Sequence, residues 1–192
     1  MTALTNATNS ATGKSMRCRV ILDTACDTTF IKESFARKLG LKMETLPTTE
    51  VGGFGNQKTR IQAKGVKFTL GGVNVRAKTT ESICRPLTGK GFNKREMGRF
   101  THLKGLNLAD NFESNEKPID ILIGGDYFYT FVGNRLIRGS YGPVAVETSV
   151  GYTLSGGIPP KNAHSHAHAN LSFTCLKAAT SSDNLESKLS KF

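Results

Sequence analysis

The chain reads as an all-β protein with two short helices, and three observations carry that reading. Val66, Phe68 and Leu70 alternate with polar residues, Gly71-Gly72 turns, and Val73, Val75 and Ala77 alternate again, which is a hairpin pattern. Twenty glycines against six prolines imply many tight turns and therefore short strands. The clearest helical character is confined to two stretches, residues 30–39 and 127–132.

Taken in order, an opening strand near Leu4 turns at Thr12-Gly13-Lys14 into a strong strand, Met16 to Leu22. The turn Asp23-Thr24-Ala25-Cys26-Asp27 follows. Ile31, Phe35 and Leu39 then recur every four residues, predicting one helix face over Phe30 to Leu39. Gly40 supplies the left-handed residue that ends it. Val51 to Asn56 places three glycines around Phe54, between β-formers, as a mobile hairpin tip. After the 66–77 hairpin, residues 84–118 read as a charged insertion with a short helix near Leu106 to Ala109. Ile119 to Ile123 is a buried strand broken by Gly124-Gly125. Asp126 then N-caps a helix from Tyr127 to Val132, which Gly133 ends. Strands follow at Arg135 to Arg138, Val144 to Thr148 and Gly151 to Leu154. Residues 158–192 are rich in Ala, Ser, Asn, His and Thr and read as a linker or tail, leaving one domain over 1–157.

Composition excludes several classes. The 192 residues suffice for one core without disulfide or metal staples. No run approaches the roughly 18 apolar residues of a membrane span, so no membrane partner is expected. The N-terminus lacks the basic and apolar regions of a secretory signal. Cys18, Cys26, Cys84 and Cys175 form no CxxC pair and read as reduced thiols, which implies an intracellular, cytoplasmic setting. The net charge of +11 is concentrated: residues 56–105 hold twelve Lys and Arg but only two acids, Glu81 and Glu96. A solvated basic surface is the plainer reading of that stretch, and weak non-specific contact with nucleic acid is the other. His164, His166 and His168 have a spacing that could chelate a metal, but the linker context and the lack of nearby Cys or acid favour a solvated tract. No metal and no cofactor are expected.

The chemistry concentrates at Val20-Ile21-Leu22-Asp23-Thr24-Ala25-Cys26-Asp27. A carboxylate at the end of an apolar strand, on a turn of small residues, is expected to be buried. It becomes catalytic if a second carboxylate is brought close, because two like charges in contact share a proton. The pair can then activate a water as base and protonate a carbonyl as acid. Only one such turn is present, so a homodimer with Asp23 of each copy facing across a twofold axis supplies the second.

At these residues the sequence resembles the retroviral-type aspartic proteases, whose signature is two apolar residues followed by Asp-Thr/Ser-Gly-Ala/Ser. Ile121-Leu122-Ile123-Gly124-Gly125-Asp126 resembles their second signature. The resemblance extends to the aspartic peptidase domain of BEL/Pao-type retrotransposon polyproteins. It runs through Thr29-Phe30-Ile31 to Leu39-Gly40-Leu41, Thr101-His102-Leu103 to Leu108-Ala109-Asp110, Asp120 to Phe128, Gly142-Pro143-Val144-Ala145, and Gly151 to Gly156. It covers about residues 3 to 157. Asn184 to Phe192 resembles the segment leading toward reverse transcriptase, as if the chain were cut from a longer polyprotein.

The resemblance implies a retropepsin-like closed β-barrel, a homodimer and endoproteolysis of a Gag-Pol-like polyprotein. Asp23 would be catalytic, and Thr24, Ala25 and Cys26 would complete the active-site loop. Thr24 would join the hydrogen bonds that lock the two loops across the dimer. Gly52, Gly53, Phe54 and Gly55 would form the flap. Asp27 would hold the substrate backbone, a role that competes evenly with a structural ion pair. Ile123, Gly124 and Asp126 would be the scaffold of the second signature. Ala25 departs from the family's glycine, and Cys26 adds bulk and an oxidisable thiol. These departures open a second reading, a catalytically inactive or repurposed retroelement-derived protein that dimerises or binds nucleic acid non-specifically.

Overall fold

The computed structural model describes residues 1–52, 58–85, 97–111 and 118–157. Their architecture is all-β, built on a closed barrel of six strands in a mixed sheet. The barrel strands are β1 (Thr2–Thr8), β2 (Ser15–Leu22), β3 (Phe30–Lys32), β7 (Lys64–Leu70), β8 (Val73–Thr80) and β9 (Ile121–Ile123). They follow the order β1-β2-β9-β3-β8-β7, and β7 returns to β1 through Ala7↔Leu70 and Thr8↔Thr69. A two-residue strand, β4 (Glu44–Thr45), extends the sheet from β7.

Alternation explains why the sheet closes. Cys18, Val20 and Leu22 of β2, Val66, Phe68 and Leu70 of β7, and Val75 and Ala77 of β8 all point inward, as period-2 strands require. Ile31, Ile121 and Ile123 join them, and Ala7 leaves room where β1 crosses. Cys18 lies in this apolar interior, and burial, with the Asp120 charge adding to it, pushes its thiol up to about 12. It is a core residue with no reactive thiolate.

Helix α1 spans Glu33–Leu39, three residues shorter at its start than the sequence predicts. Phe30 to Lys32 instead form β3, which pairs in parallel with β8 and antiparallel with β9. Ile31 is buried as expected, but on a strand, because ladder partners on both sides outweigh its helical spacing to Phe35. Gly40 takes φ 76° and closes the helix, with Leu41 N–H donating to the Ala36 carbonyl at 3.0 Å. Glu33 accepts from Arg37 at 2.5 Å and from Lys64 at 2.8 Å, and these two cations hold its carboxyl below the usual range.

A hairpin of β5 (Thr49–Gly52) and β6 (Lys58–Ile61) stands apart from the barrel sheet. Helix α2 spans Gly125–Phe131, and β10 (Val132–Ile137), β11 (Val144–Thr148) and β12 (Gly151–Ser155) form a separate three-stranded sheet. Here the sequence expectation shifts by two residues. The helix begins at Gly125 with Gly124 as its N-cap, so Asp126 caps nothing. Gly133 lies within β10, which begins immediately after the helix. The helix expected near Leu106 to Ala109 is absent; a 3-10 turn occupies Thr101–Leu103 instead. Leu108 bridges to Tyr152 of β12, with Ala109 N–H donating to the Tyr152 carbonyl at 2.8 Å. Phe100, Leu103, Ala145 and Leu154 form the small core of this outer layer. The expected linker at 158–192, with His164, His166 and His168, lies outside the described residues. No helix among the described residues is long and apolar enough to cross a membrane.

One buried ion pair fastens the barrel to the insertion. Arg19 of β2 bonds Asp110, whose side chain is wholly buried, and Thr2 Oγ1 donates to the same carboxylate at 2.7 Å. Asp110→Asn would leave the Arg19 guanidinium buried without a counter-charge, lowering unfolding free energy by roughly 3 kcal/mol in urea titrations. Nearby, burial raises Asp120, opposed by the Arg19 backbone N–H and by the Lys32, Arg19 and Lys38 charges. Its folded pKa therefore exceeds its unfolded one, so stability is lost as pH rises from the ordinary Asp range through the raised value. Relative to Asp120→Asn, the wild type is expected to lose ground across that interval, a difference read by thermal melts at several pH values.

Candidate active site

Asp23 follows the last residue of β2. Strands β2 and β9 run parallel in the register Val20↔Ile121, Ile21↔Leu122 and Leu22↔Ile123, and Asp23 N–H donates to the Ile123 carbonyl at 3.0 Å. The ladder therefore carries Asp23 to the barrel rim beside the start of α2. Ala25 N–H donates to Asp23 Oδ1 at 2.9 Å, which fixes the carboxylate in a tight turn of its own. Asp23 is half-buried and Thr24 and Ala25 are exposed, so the single chain leaves the acid more open than the sequence predicts. Full burial needs a covering group that the barrel itself does not supply.

Beneath the loop, the Cys26–Thr29 and Gly124–Asp126 segments are joined in a partly buried knot. Thr29 is fully buried, and its Oγ1 donates to Asp126 Oδ1 at 2.6 Å. Thr29 N–H donates to Asp126 Oδ2 at 3.0 Å, and Gly124 N–H donates to Thr29 Oγ1 at 3.0 Å. Gly125 N–H donates to the Cys26 carbonyl at 2.7 Å. A Cβ on Gly124 would stand 2.6 Å from the Thr28 carbonyl carbon and oxygen and 2.8 Å from the Cys26 oxygen. Only glycine permits that approach. Asp126 bonds across to Thr29 and makes no cap bond to its own helix.

Thr29 is the residue that sequence reasoning did not single out. Its signal was a polar side chain at the mouth of the apolar run Phe30-Ile31, where a hydroxyl must find a buried partner. Ile123 is fully buried in the barrel, which holds the second signature in place.

The Cys26 thiol donates to the Thr28 carbonyl at 3.2 Å. Burial pushes its pKa up, and the carboxylates of Asp27, Asp23 and Asp126 add to this. The raised pKa lowers the share of reactive thiolate at this half-buried position. Asp27 is exposed and makes no salt bridge among the described residues. The structural ion pair considered for it is not formed there. Gly52 ends β5 opposite Lys58, with open space where a Cβ would stand. Gly53, Phe54 and Gly55 lie outside the described residues. Between the loop and this hairpin lies an apolar cluster of Ile21, Phe30, Ile83, Ile119 and Leu122, against which Cys26, Val51 and Ile61 pack. No group of His, Cys, Asp and Glu among the described residues could hold a metal ion.

The knot yields a test. Thr29→Val keeps the shape but leaves the buried Gly124 N–H without its acceptor and Asp126 without a donor, lowering stability by about 2 kcal/mol in denaturant titration. Thr29→Ser, which restores the hydroxyl, should recover most of the loss.

The arrangement presents one carboxylate on a rigid, open turn, backed by a second-signature glycine and helix and faced by a glycine-ended hairpin. Compared with known proteins, residues 10–127 match the family model described as aspartyl protease. No curated protein and no solved structure matches the chain. The match spans the Asp23 turn, the β5–β6 hairpin and the Gly124–Asp126 segment, and the chain belongs to the aspartyl protease family.

Proposed function

We propose that the chain is an aspartic endopeptidase that works as a homodimer on polypeptide substrates, of retrotransposon type, with a Gag-Pol-like polyprotein as its target. The observation that carries this reading is the placement of Asp23. It sits on an open turn held from below by the Thr29–Asp126–Gly124 knot and from its own side by the Ala25 N–H.

Two Asp23 carboxylates facing across a twofold axis share one proton, since both cannot ionise in contact. The ionised member takes a proton from a water, whose oxygen bonds to the scissile carbonyl carbon. The protonated member gives its proton to the carbonyl oxygen. Collapse of the tetrahedral species breaks the C–N bond, and a proton passes to the leaving amine. Thr24, exposed on the loop, would bind the opposite loop. Asp27, free of any salt bridge among the described residues, would accept from the substrate backbone. Gly52, Gly53, Phe54 and Gly55 would cover the bound peptide and exclude water.

A second reading, an inactive copy that binds nucleic acid, draws on the basic stretch. Its flap-side cations are partly neutralised: Lys58 meets Glu50 at 2.8 Å, Arg60 meets it at 4.0 Å, and Lys64 meets Glu33 at 2.8 Å. That weakens the case for a polyanion at this edge of the molecule.

The test is cleavage of a peptide library by the full chain, with and without a transition-state analogue of peptide hydrolysis. Cleavage should be blocked by the analogue, follow a bell-shaped profile on the acid side, and fall by about 10³-fold or more in Asp23→Asn. A folded dimer that cuts nothing at any pH would sink the peptidase and leave the inactive reading.

A further inference from the structure

The strands that run side by side as β2-β1-β7-β8 contain no acidic residue. Neither do the turns at 9–14 and 71–72 that join β1 to β2 and β7 to β8. These strands carry the cations Arg17, Arg19, Lys64, Lys67, Arg76 and Lys78. Arg19 and Lys64 are answered from elsewhere in the chain, by Asp110 and Glu33. The other four make no salt bridge among the described residues.

Three of those four are neighbours. Val66, Phe68, Val75 and Ala77 point into the barrel, so Lys67, Arg76 and Lys78 point outward by alternation. Lys67 stands directly opposite Arg76, and Lys78 is two residues further along β8, about 7 Å away. Like charges directly opposite each other are destabilising, and both side chains of the pair are exposed, so core packing does not require either. The acid nearest in the sheet register, Glu44 opposite Gly65, forms no salt bridge with any of them. A bound anion would account for the pair where the fold's own energetics do not.

The same outward face continues with neutral polar groups. Thr69 pairs with Asn74, two residues from Lys67 and Arg76. Thr69 Oγ1 donates to Asn74 Oδ1 at 3.2 Å, and the Ser10 hydroxyl stands 2.8 Å from Thr69 Oγ1. The Asn74 oxygen is therefore taken, which leaves its exposed amide nitrogen to donate outward. Cations beside hydroxyl and amide donors are the groups that contact phosphate oxygens.

The surroundings narrow the partner. Strands β7 and β8 are paired on both sides, so a peptide cannot join them as a further strand. The large exposed hydrophobics among the described residues, Tyr129, Leu136 and Tyr141, lie on none of these strands. The wall thus offers a bilayer no apolar wedge and a single-stranded base no ring to stack on.

We propose that the outward face of β7 and β8, with Lys67, Arg76, Lys78 and the Ser10–Thr69–Asn74 row, binds the phosphodiester backbone of duplex nucleic acid without reading its sequence. None of these residues belongs to the Asp23 turn, the β5–β6 hairpin or α2, so the wall serves an active peptidase as well as an inactive copy.

Binding of a fluorescein-labelled DNA duplex of mixed sequence to the full chain is followed by anisotropy from low to physiological salt. The expected slope of log affinity against log salt is about −3, one for each cation on a phosphate. Lys67→Gln and Arg76→Gln should each weaken binding about fivefold or more and flatten the slope by about one. Both relieve a repulsive pair and keep the fold, which circular dichroism confirms; either alone carries the test should the other not fold. Arg135→Gln with Arg138→Gln removes two exposed charges at β10 and should change affinity by less than about twofold. Asp23→Asn should bind as wild type does, whether or not the chain cuts peptide. Phosphatidylserine vesicles and poly-glutamate of matched charge should compete about tenfold less well than unlabelled duplex. The proposal falls if the duplex does not bind, if folded wall variants bind as wild type does, if the β10 variant loses as much, or if either competitor matches the duplex.

Discussion

A side chain at residue 124 would meet the Thr28 carbonyl at 2.6 Å, and the Asp23 end of the barrel depends on the absence of one. Because β9 can turn there against the Cys26–Thr28 backbone, the Gly124 N–H reaches the Thr29 hydroxyl and the Asp126 carboxylate reaches both donors of Thr29. Three consequences follow from this one contact. The parallel pairing of β2 with β9 stops at Leu22↔Ile123, so Asp23 projects from the rim. Helix α2 starts where its first N–H groups face the active loop. The Asp126 carboxylate, though the residue is exposed, is held by two hydrogen bonds from Thr29 that tie the loop to the helix. A carboxylate asked to act on water needs such a fixed mount, since small displacements of a catalytic group cost rate steeply.

Charge is distributed so that it leaves this mount undisturbed. The Asp23 loop has carboxylates at 23, 27 and 126 around it, and the nearest thiol responds by holding its proton. Basic residues gather elsewhere. Lys67 and Arg76 stand directly opposite each other on β7 and β8, an unfavourable like-charge pair made tolerable by exposure. Both lie on the barrel's outer wall, where solvent screens them.

The strands were legible wherever burial is one-sided, because alternation is then forced: β2, β7, β8, β11 and β12 follow their pattern closely. Misreadings occurred where tertiary pairing overrides local spacing. Ile31 has the helical spacing of its neighbours but sits between β8 and β9, and no local pattern announces strands from far along the chain on either side. Asp126 looked like a cap because Asp before an aromatic run commonly is one; its true partner is 97 residues away. The Asp23 turn was readable as a candidate site because short motifs carry their chemistry in sequence. Thr29 was not, since a buried hydroxyl is recognised only by what it bonds.

Ala25 raises the question of where its extra methyl acts. Within one chain it causes no conflict that the turn displays: the residue is exposed, and its N–H makes the bond to Asp23 that a glycine would make. Any cost is therefore not a cost of folding. On the proposed dimer the same atoms lie beside a twofold axis, where each loop meets its own copy and every added group is counted twice. The substitution then acts on association and on the separation of the two carboxylates, and leaves barrel stability alone.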